Sequence, residues 1–147
     1  KQKIKVCRIF NTYRPNMEKE DGRVISNFIV QALSNNSITI YGNGKQTRSF
    51  CYVDDLIQGL INVMNTDDNF TGPINLGNDK EFTILEIAQK IIKLSNSKSS
   101  IKYLNPLPDD PIQRKPELSL AKEVIDWNPS TNINTGIKLT IDYFKTI

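Results

Sequence analysis

The segment 46–55, QTRSFCYVDD, holds the residues with the most to offer chemically. Arg48 lies in an extended stretch just past the turn Gly42-Asn43-Gly44, where a guanidinium presents a planar fork to phosphate oxygens. The same position equally suits an arginine that is solvated at a strand end, or paired with Asp54 or Asp55. Tyr41, beside the turn, offers an aromatic face and a hydroxyl to a base or a sugar edge, or packs on its neighbour. Arg114 closes the segment DDPIQRKP. Asp109 and Asp110 can position it, and the prolines lower the entropy cost of holding a loop over a ligand; as a plain surface turn, the same segment leaves Arg114 in water. Arg23 follows Gly22 at a helix start, an unfavourable place for a cation unless something anionic lies nearby. Asp54 is expected to cap a helix rather than to move protons.

Absent residues narrow the chemistry further. The chain has no histidine, which excludes a His base and a His-ligated metal. Its two cysteines, Cys7 and Cys51, make neither a disulfide framework nor a thiolate metal site. They are expected to be a small core hydrophobe and a packed strand-end thiol, and no metal is expected. GxxGxxG, GxxxxGK[ST], GxSxG, HExxH and CxxC are all missing. No Tyr-x-x-x-Lys pair is recognised; Tyr13, for one, is followed four places on by Met17. These polar residues amount to ligand contacts without a catalytic group. Nineteen Lys and Arg against sixteen Asp and Glu give a dispersed +3, which argues against nucleic acid as a partner. No apolar run approaches bilayer length and no signal-peptide pattern opens the chain, so no membrane contact is expected in this segment.

The elements that must position these residues follow from periodicity. At 147 residues, 38% hydrophobic and 24% charged, the chain suits one modest globular domain. Residues 4–10, IKVCRIF, are predicted to be a strand covered on both faces, and residues 11–21 a loop. A helix capped by Asp21 has Val24, Ile25, Phe28, Ile29, Ala32 and Leu33 on one side and ends near Ser34–Asn36. Ile38–Tyr41 and Arg48–Val53 are extended, and a helix follows Asp54. Pro73–Leu76 is another buried strand, and Thr83-x-x-Glu86 a capping box opening a helix. The stretch 104–116 carries four prolines, so it can be neither helix nor central strand. Two short helices, near 119–125 and 134–145, complete a mixed α/β pattern. Two doubly buried strands with few partners suggest that more sheet precedes Lys1.

The ordered strings RIFNTY-x-P at 8–15, DGRVISNFIVQAL at 21–33, ITIYGNGKQTRSFCYVDDLIQGL at 38–60, GPINLGN at 72–78 and LPDDPIQRKPELSLAKEVIDWNP at 107–129 closely resemble the C-terminal part of the UDP-glucuronic acid decarboxylase (UDP-xylose synthase) family. This family belongs to the extended short-chain dehydrogenase/reductases, and the resemblance spans essentially all 147 residues. It implies the C-terminal fragment of a Rossmann-type enzyme, with the terminal sheet strands near 4–10 and 72–77 and a small mixed α/β substrate domain. The NAD-binding half, with its glycine-rich loop and catalytic Tyr-x-x-x-Lys pair, is expected upstream, so no catalytic residue is expected here. The reaction implied is oxidation of UDP-glucuronate at C4 by bound NAD, loss of CO2 and re-reduction to UDP-xylose, and this chain alone is expected to be inactive.

By the same resemblance, Thr12 and Arg23 contact NAD, whereas Asn11, Tyr41, Arg48 and Arg114 contact the UDP-sugar, with Tyr13 at the same junction as Asn11. Arg14, Asn16 and Glu18 stand where family members carry glycine, arginine and, in some, a histidine that contacts NAD. The arginine is either lost from the cofactor junction or moved by two positions. The family also implies a homodimer for the full-length protein, in the cytoplasm or, with an upstream anchor, in the Golgi lumen. A 4-epimerase, a 4,6-dehydratase, and a non-catalytic sugar-nucleotide-binding or dimer-forming protein are the alternatives.

Overall fold

Short apolar runs punctuated by glycine, asparagine and proline fold into brief strands between amphipathic helices. The computed structural model describes residues 4–147. Its first half runs β1 (Cys7–Ile9), β2 (Thr12–Tyr13), α1 (Val24–Leu33), β3 (Ile38–Tyr41), β4 (Thr47–Ser49), β5 (Cys51–Tyr52) and α2 (Val53–Met64). The second half adds β6 (Ile74–Leu76), β7 (Glu81–Thr83), α3 (Ile84–Ser95), β8 (Ile101–Leu104), β9 (Gln113–Arg114), α4 (Ser119–Ile125) and α5 (Ile133–Phe144). These elements divide between two units. One holds the residues up to Thr12, Ser49–Glu81 and Lys115–Thr131; the other holds Tyr13–Arg48, Phe82–Arg114 and Asn132–Ile147.

In the first unit, β1 pairs in parallel with β6, Cys7 opposite Ile74 and Ile9 opposite Leu76. Helices α2 and α4 pack on β6 and enclose Leu56, Val63, Ile74, Leu76 and Trp127. Gly59 is what admits the indole: a Cβ there would lie 3.0 Å from Trp127 Cε2. Trp127 Nε1 donates to the Asp55 carbonyl at 2.9 Å, so the ring is buried with its polar edge satisfied. The Asp55 carboxylate is buried too, accepting from Ser130 Oγ at 3.0 Å and Thr131 N at 2.9 Å. Asp54 does not cap α2. The N-cap is Tyr52, without a side-chain cap bond, and Asp54 lies within the first turn, where a carboxylate still favours the helix dipole.

The strand over 4–10 is shorter and barer than its composition predicts. β1 is three residues long, and Ile4, Val6 and Ile9 are 62%, 47% and 56% exposed. Among the described residues β6 is its one paired neighbour, which leaves apolar side chains in water. β6 itself has Ile74 and Leu76 fully buried.

The second unit is built on α1, α3 and α5, which pack together through Ile25, Ile29, Ile87, Ile91, Ile137 and Ile141. Four-residue spacing puts each pair of isoleucines on one helix face. Strand β3 pairs in parallel with β8, Ile38 opposite Ile101 through Tyr41 opposite Leu104. The second sheet has the order β7-β4-β9. The Pro-rich stretch thus contributes a two-residue edge strand, the one sheet position its prolines tolerate. Asp21 stands outside α1 rather than capping it. Arg23 is the N-cap, and the Asp21 carboxylate accepts from Arg23 N at 3.0 Å and from Ser26 Oγ.

The capping box of α3 is complete: Glu86 N donates to Thr83 Oγ1 at 3.1 Å, and Thr83 N to Glu86 Oε2 at 2.7 Å. Hydrogen bonds from the Thr83 backbone and hydroxyl hold the Glu86 carboxyl below its usual range. A lowered folded pKa means the contribution is present above the unfolded value of about 4.3 and fades as pH falls through the folded one. Thr83→Ala is therefore expected to cost about 1 kcal/mol at neutral pH. Urea unfolding at pH 7 and at pH 3 checks this, with the gap between variant and parent narrowing at the lower pH.

Candidate functional site

The site is assembled by one turn and one loop of the second unit. Gly42 and Gly44 take φ of +71° and +73°, the left-handed region that glycine enters without strain. A Cβ at Gly44 would also crowd Leu85 Cβ at 3.2 Å. This turn joins β3 to β4, and the loop 105–112 joins their respective partners, β8 and β9. The two connections meet around a groove of about 820 Å³ whose walls include Tyr41, Gln46, Tyr103, Leu107, Asp110 and Ile112. Four of these, Tyr41, Tyr103, Leu107 and Ile112, are large apolar or aromatic side chains left exposed, a patch that fits the volume and lining of a ligand site. A second cavity of about 370 Å³ shares Tyr41, Gln46, Leu107 and Asp110 with the first and extends to Arg48 and Gly22.

Arg48 is the charged centre of this region. It is 6% exposed, with Nη1 donating to the Thr47 carbonyl at 2.7 Å and Nη2 to Asp110 Oδ1 at 2.5 Å. Its carboxylate partner is thus Asp110, not the Asp54 or Asp55 that proximity in sequence offers. Gln46 Nε2 donates to the Tyr41 carbonyl at 2.9 Å and reaches Asp110 Oδ2 at 3.5 Å. The parallel pairing of β4 with β9 sets Arg48 directly opposite Arg114, which is exposed. The register brings the two arginine backbones together, with Arg48 lining the smaller cavity and Arg114 outside the lining of both; two cations on adjacent strands favour a ligand with more than one negative charge.

The remaining expected contacts distribute between the units. Asn11 and Thr12 belong to the first. The Asn11 carbonyl accepts from Cys51 N at 2.9 Å, and Thr12 Oγ1 donates to the Phe10 carbonyl at 2.9 Å. Arg23, in the second unit, is exposed and pairs with Asp21 at 3.7 Å, so the anion its position calls for is supplied by a neighbour two residues away. Tyr13 is 2% exposed and belongs to the core. Arg14 has an ordinary negative φ and an exposed side chain, so the backbone here does not require the glycine that the family resemblance implies. Asn16 takes φ of +62°, which asparagine tolerates better than most side chains.

Tyr41 and Lys45 do have the spacing Tyr-x-x-x-Lys, contrary to the sequence reading above. They lie at the end of β3 and beyond a double-glycine turn, not one helical turn apart. The side-by-side arrangement that this spacing gives on a helix is therefore absent. Asp110, Gln46 and Tyr103 are the site residues that sequence reasoning missed. The signal available for Asp110 was its place before Pro111 in a stiff loop, but the segment was read as serving Arg114. Among the described residues, no group of three His, Cys, Asp or Glu side chains is placed to hold a metal ion.

Neither thiol joins the site. Cys51 is fully buried, and burial followed by the Asp55 charge pushes it up to about 12. Cys7 is half-buried, and burial raises it as well. Because the thiolate is the reactive form, Cys51 is expected to resist iodoacetamide at pH 8 until urea unfolds the chain, while Cys7 is alkylated in the native state. Peptide mass mapping reads both rates.

Residues 1–77 match the NAD dependent epimerase/dehydratase family. Over 142 residues, 97% of this chain, the sequence is 49% identical to UDP-glucuronic acid decarboxylase 3 of Arabidopsis thaliana and 47% identical to UDP-glucuronic acid decarboxylase 1 of Danio rerio. The matches cover 41% and 34% of those two proteins, so the chain spans about two-fifths or less of their length. Among solved structures it superposes with a TM-score of 0.90 on the UDP-glucuronic acid 4-epimerase of Bacillus cereus in complex with UDP-glucuronic acid and NAD. That likeness is 30% in sequence and covers 98% of this chain and 46% of the epimerase.

Proposed function

The chain belongs to the NAD dependent epimerase/dehydratase family, and on that premise we propose that it supplies the nucleotide-binding side of a UDP-glucuronate decarboxylase. The observation that carries this reading is Arg48 opposite Arg114 on paired strands, beside a groove walled by Tyr41, Tyr103 and Asp110. The groove takes the nucleoside, with Tyr41 and Tyr103 offering faces to the base. The two arginines take the diphosphate and neutralise its charge. Holding the diphosphate fixes the distance from the anchored phosphates to the sugar, which is how remote binding energy is converted into alignment at the reacting carbon.

The decarboxylases at 43–49% identity favour loss of CO2 over epimerisation as the overall reaction. The exposed Ile4 and Val6 just before β1 and Ile9 within it support a parallel sheet that continues on that side in the whole protein. Thr12 keeps hydroxyl lone pairs available while donating to Phe10, and Arg23 projects an exposed guanidinium; both fit peripheral contacts to a dinucleotide. Bound NAD would supply the hydride chemistry at C4 of the sugar, and Thr12 and Arg23 are the residues of this chain that would contact it. The chain's own residues bind and orient, and the described residues include no helical tyrosine–lysine pair to move the C4 hydroxyl proton.

The test joins this chain to the NAD-binding half of the Arabidopsis relative and assays UDP-glucuronate for UDP-xylose and CO2, with the 147-residue polypeptide plus NAD+ as the second arm. Turnover by the joined protein and none by the polypeptide alone is the expected result. Release of an epimerised UDP-glucuronate without CO2, or turnover by the polypeptide alone, contradicts it.

A further inference from the structure

Arg48, the residue best suited to a phosphate, is 6% exposed and already satisfied by a carboxylate. Its partner Asp110 is one-third exposed and lies in the loop 105–112, between Pro108 and Pro111. Asp110 lines both cavities and Arg48 lines the smaller one beside it, with the Nη2 edge of the guanidinium held by the Asp110 carboxylate. A ligand phosphate that binds this edge of Arg48 must take the place of that carboxylate. We infer that Asp110 is a specificity-determining residue: its carboxylate occupies the anion position on Arg48, and only a ligand carrying enough negative charge to exchange with it gains the site. This rests on the nucleotide reading of the same groove and adds how the site selects its ligand.

The exchange follows from electrostatics. A carboxylate presents one negative charge to the guanidinium, and a diphosphate presents more, on oxygens that suit a planar fork. Arg114, opposite Arg48 on β9, adds attraction for the second phosphate that Asp110, already held by Arg48, cannot match. A neutral nucleoside entering the groove leaves the Arg48–Asp110 pair closed. Gln46 donates to both Tyr41 and Asp110, and so ties the closed loop to the base side of the groove. The prolines limit the conformations the released loop can adopt, which lowers the entropy cost of ordering it again over a bound ligand.

Calorimetric titration of the 147-residue chain tests this with three probes: UDP, inorganic pyrophosphate and uridine. Asp110→Asn removes the competing charge at nearly constant volume and is expected to tighten UDP and pyrophosphate by about five- to tenfold, as for an ion pair with one partner buried and the other one-third exposed. Uridine affinity stays unchanged. Asp110→Glu, which keeps the charge, gives no gain, and in the background of Arg48→Ala the gain from Asp110→Asn disappears. A loop that merely unfolded would weaken both anions instead. Equal or weaker anion binding by Asp110→Asn overturns the inference, while ordinary UDP affinity in the same data leaves the nucleotide reading standing. A gain with pyrophosphate but no added affinity for UDP keeps the exchange and removes the uridine site. No anion binding by any variant removes both.

Discussion

Arg48→Ala is expected to weaken UDP binding by about 100-fold, the loss typical of deleting a desolvated charge partner. The size follows from burial. Arg48 is enclosed, its Nη1 is anchored on the Thr47 carbonyl, and little water remains to screen what it holds. Arg48→Lys restores only part of the affinity, since an ammonium offers a point charge where the guanidinium offers a fork. Arg114→Ala is expected to cost about tenfold or less, because Arg114 is exposed and screened. The two losses also separate by ionic strength, with the Arg114 contribution shrinking as salt is raised from 50 to about 500 mM and the Arg48 contribution largely surviving. Equal salt dependence would mean that the two arginines share one solvated environment.

The second large effect is on stability. Trp127→Ala is expected to lower the unfolding free energy by about 3–5 kcal/mol. The indole fills the space left by the missing side chain at Gly59, lies in the same core as Leu76, and donates to the Asp55 carbonyl. Truncation therefore leaves a cavity and removes the indole donor from a carbonyl beside a buried carboxylate, leaving that carbonyl its helical partner alone. Trp127→Phe keeps much of the packing but loses the donor, and is expected to cost about 1–3 kcal/mol. Urea unfolding curves for the two variants separate the packing contribution from the hydrogen bond.

The elements legible in the sequence are those with local causes. α1 and α3 repeat apolar residues at helical spacing, and Thr83 with Glu86 spells out its own cap. The strand Ile38–Tyr41 ends at a glycine turn that announces it. β2, β7 and β9 gave no comparable signal, because two or three residues are too few for a period and their pairing is set by distant segments. β8 escaped for a related reason: Ile101–Leu104 alternates only partly, and its partner β3 lies some sixty residues earlier. Asp21 and Asp54 were expected as caps from residue type alone; the chain instead turns helical two residues later at Arg23 and two residues earlier at Tyr52.

The site divides along the same line. Arg48, Tyr41 and Arg114 stood out by residue type and by likeness to a known family. That Arg48 and Arg114 lie opposite each other depends on the parallel register of β4 and β9, which no local feature encodes. The Arg48–Asp110 pair spans 62 residues, so sequence proximity pointed to Asp54 and Asp55. Asp55 proved to be a buried acceptor for Ser130 and Thr131, a structural task that its neighbourhood in sequence does not reveal.

The claim on which the functional account stands is that the 42–48 and 103–114 segments form one nucleotide diphosphate site. Titration of isotopically labelled protein with UDP, followed by backbone amide NMR, addresses it most directly. The account predicts saturable shifts concentrated at Tyr41, Gln46, Arg48, Tyr103 and Asp110–Arg114, abolished in Arg48→Ala. Shifts absent from these residues, or unchanged by that substitution, would contradict it.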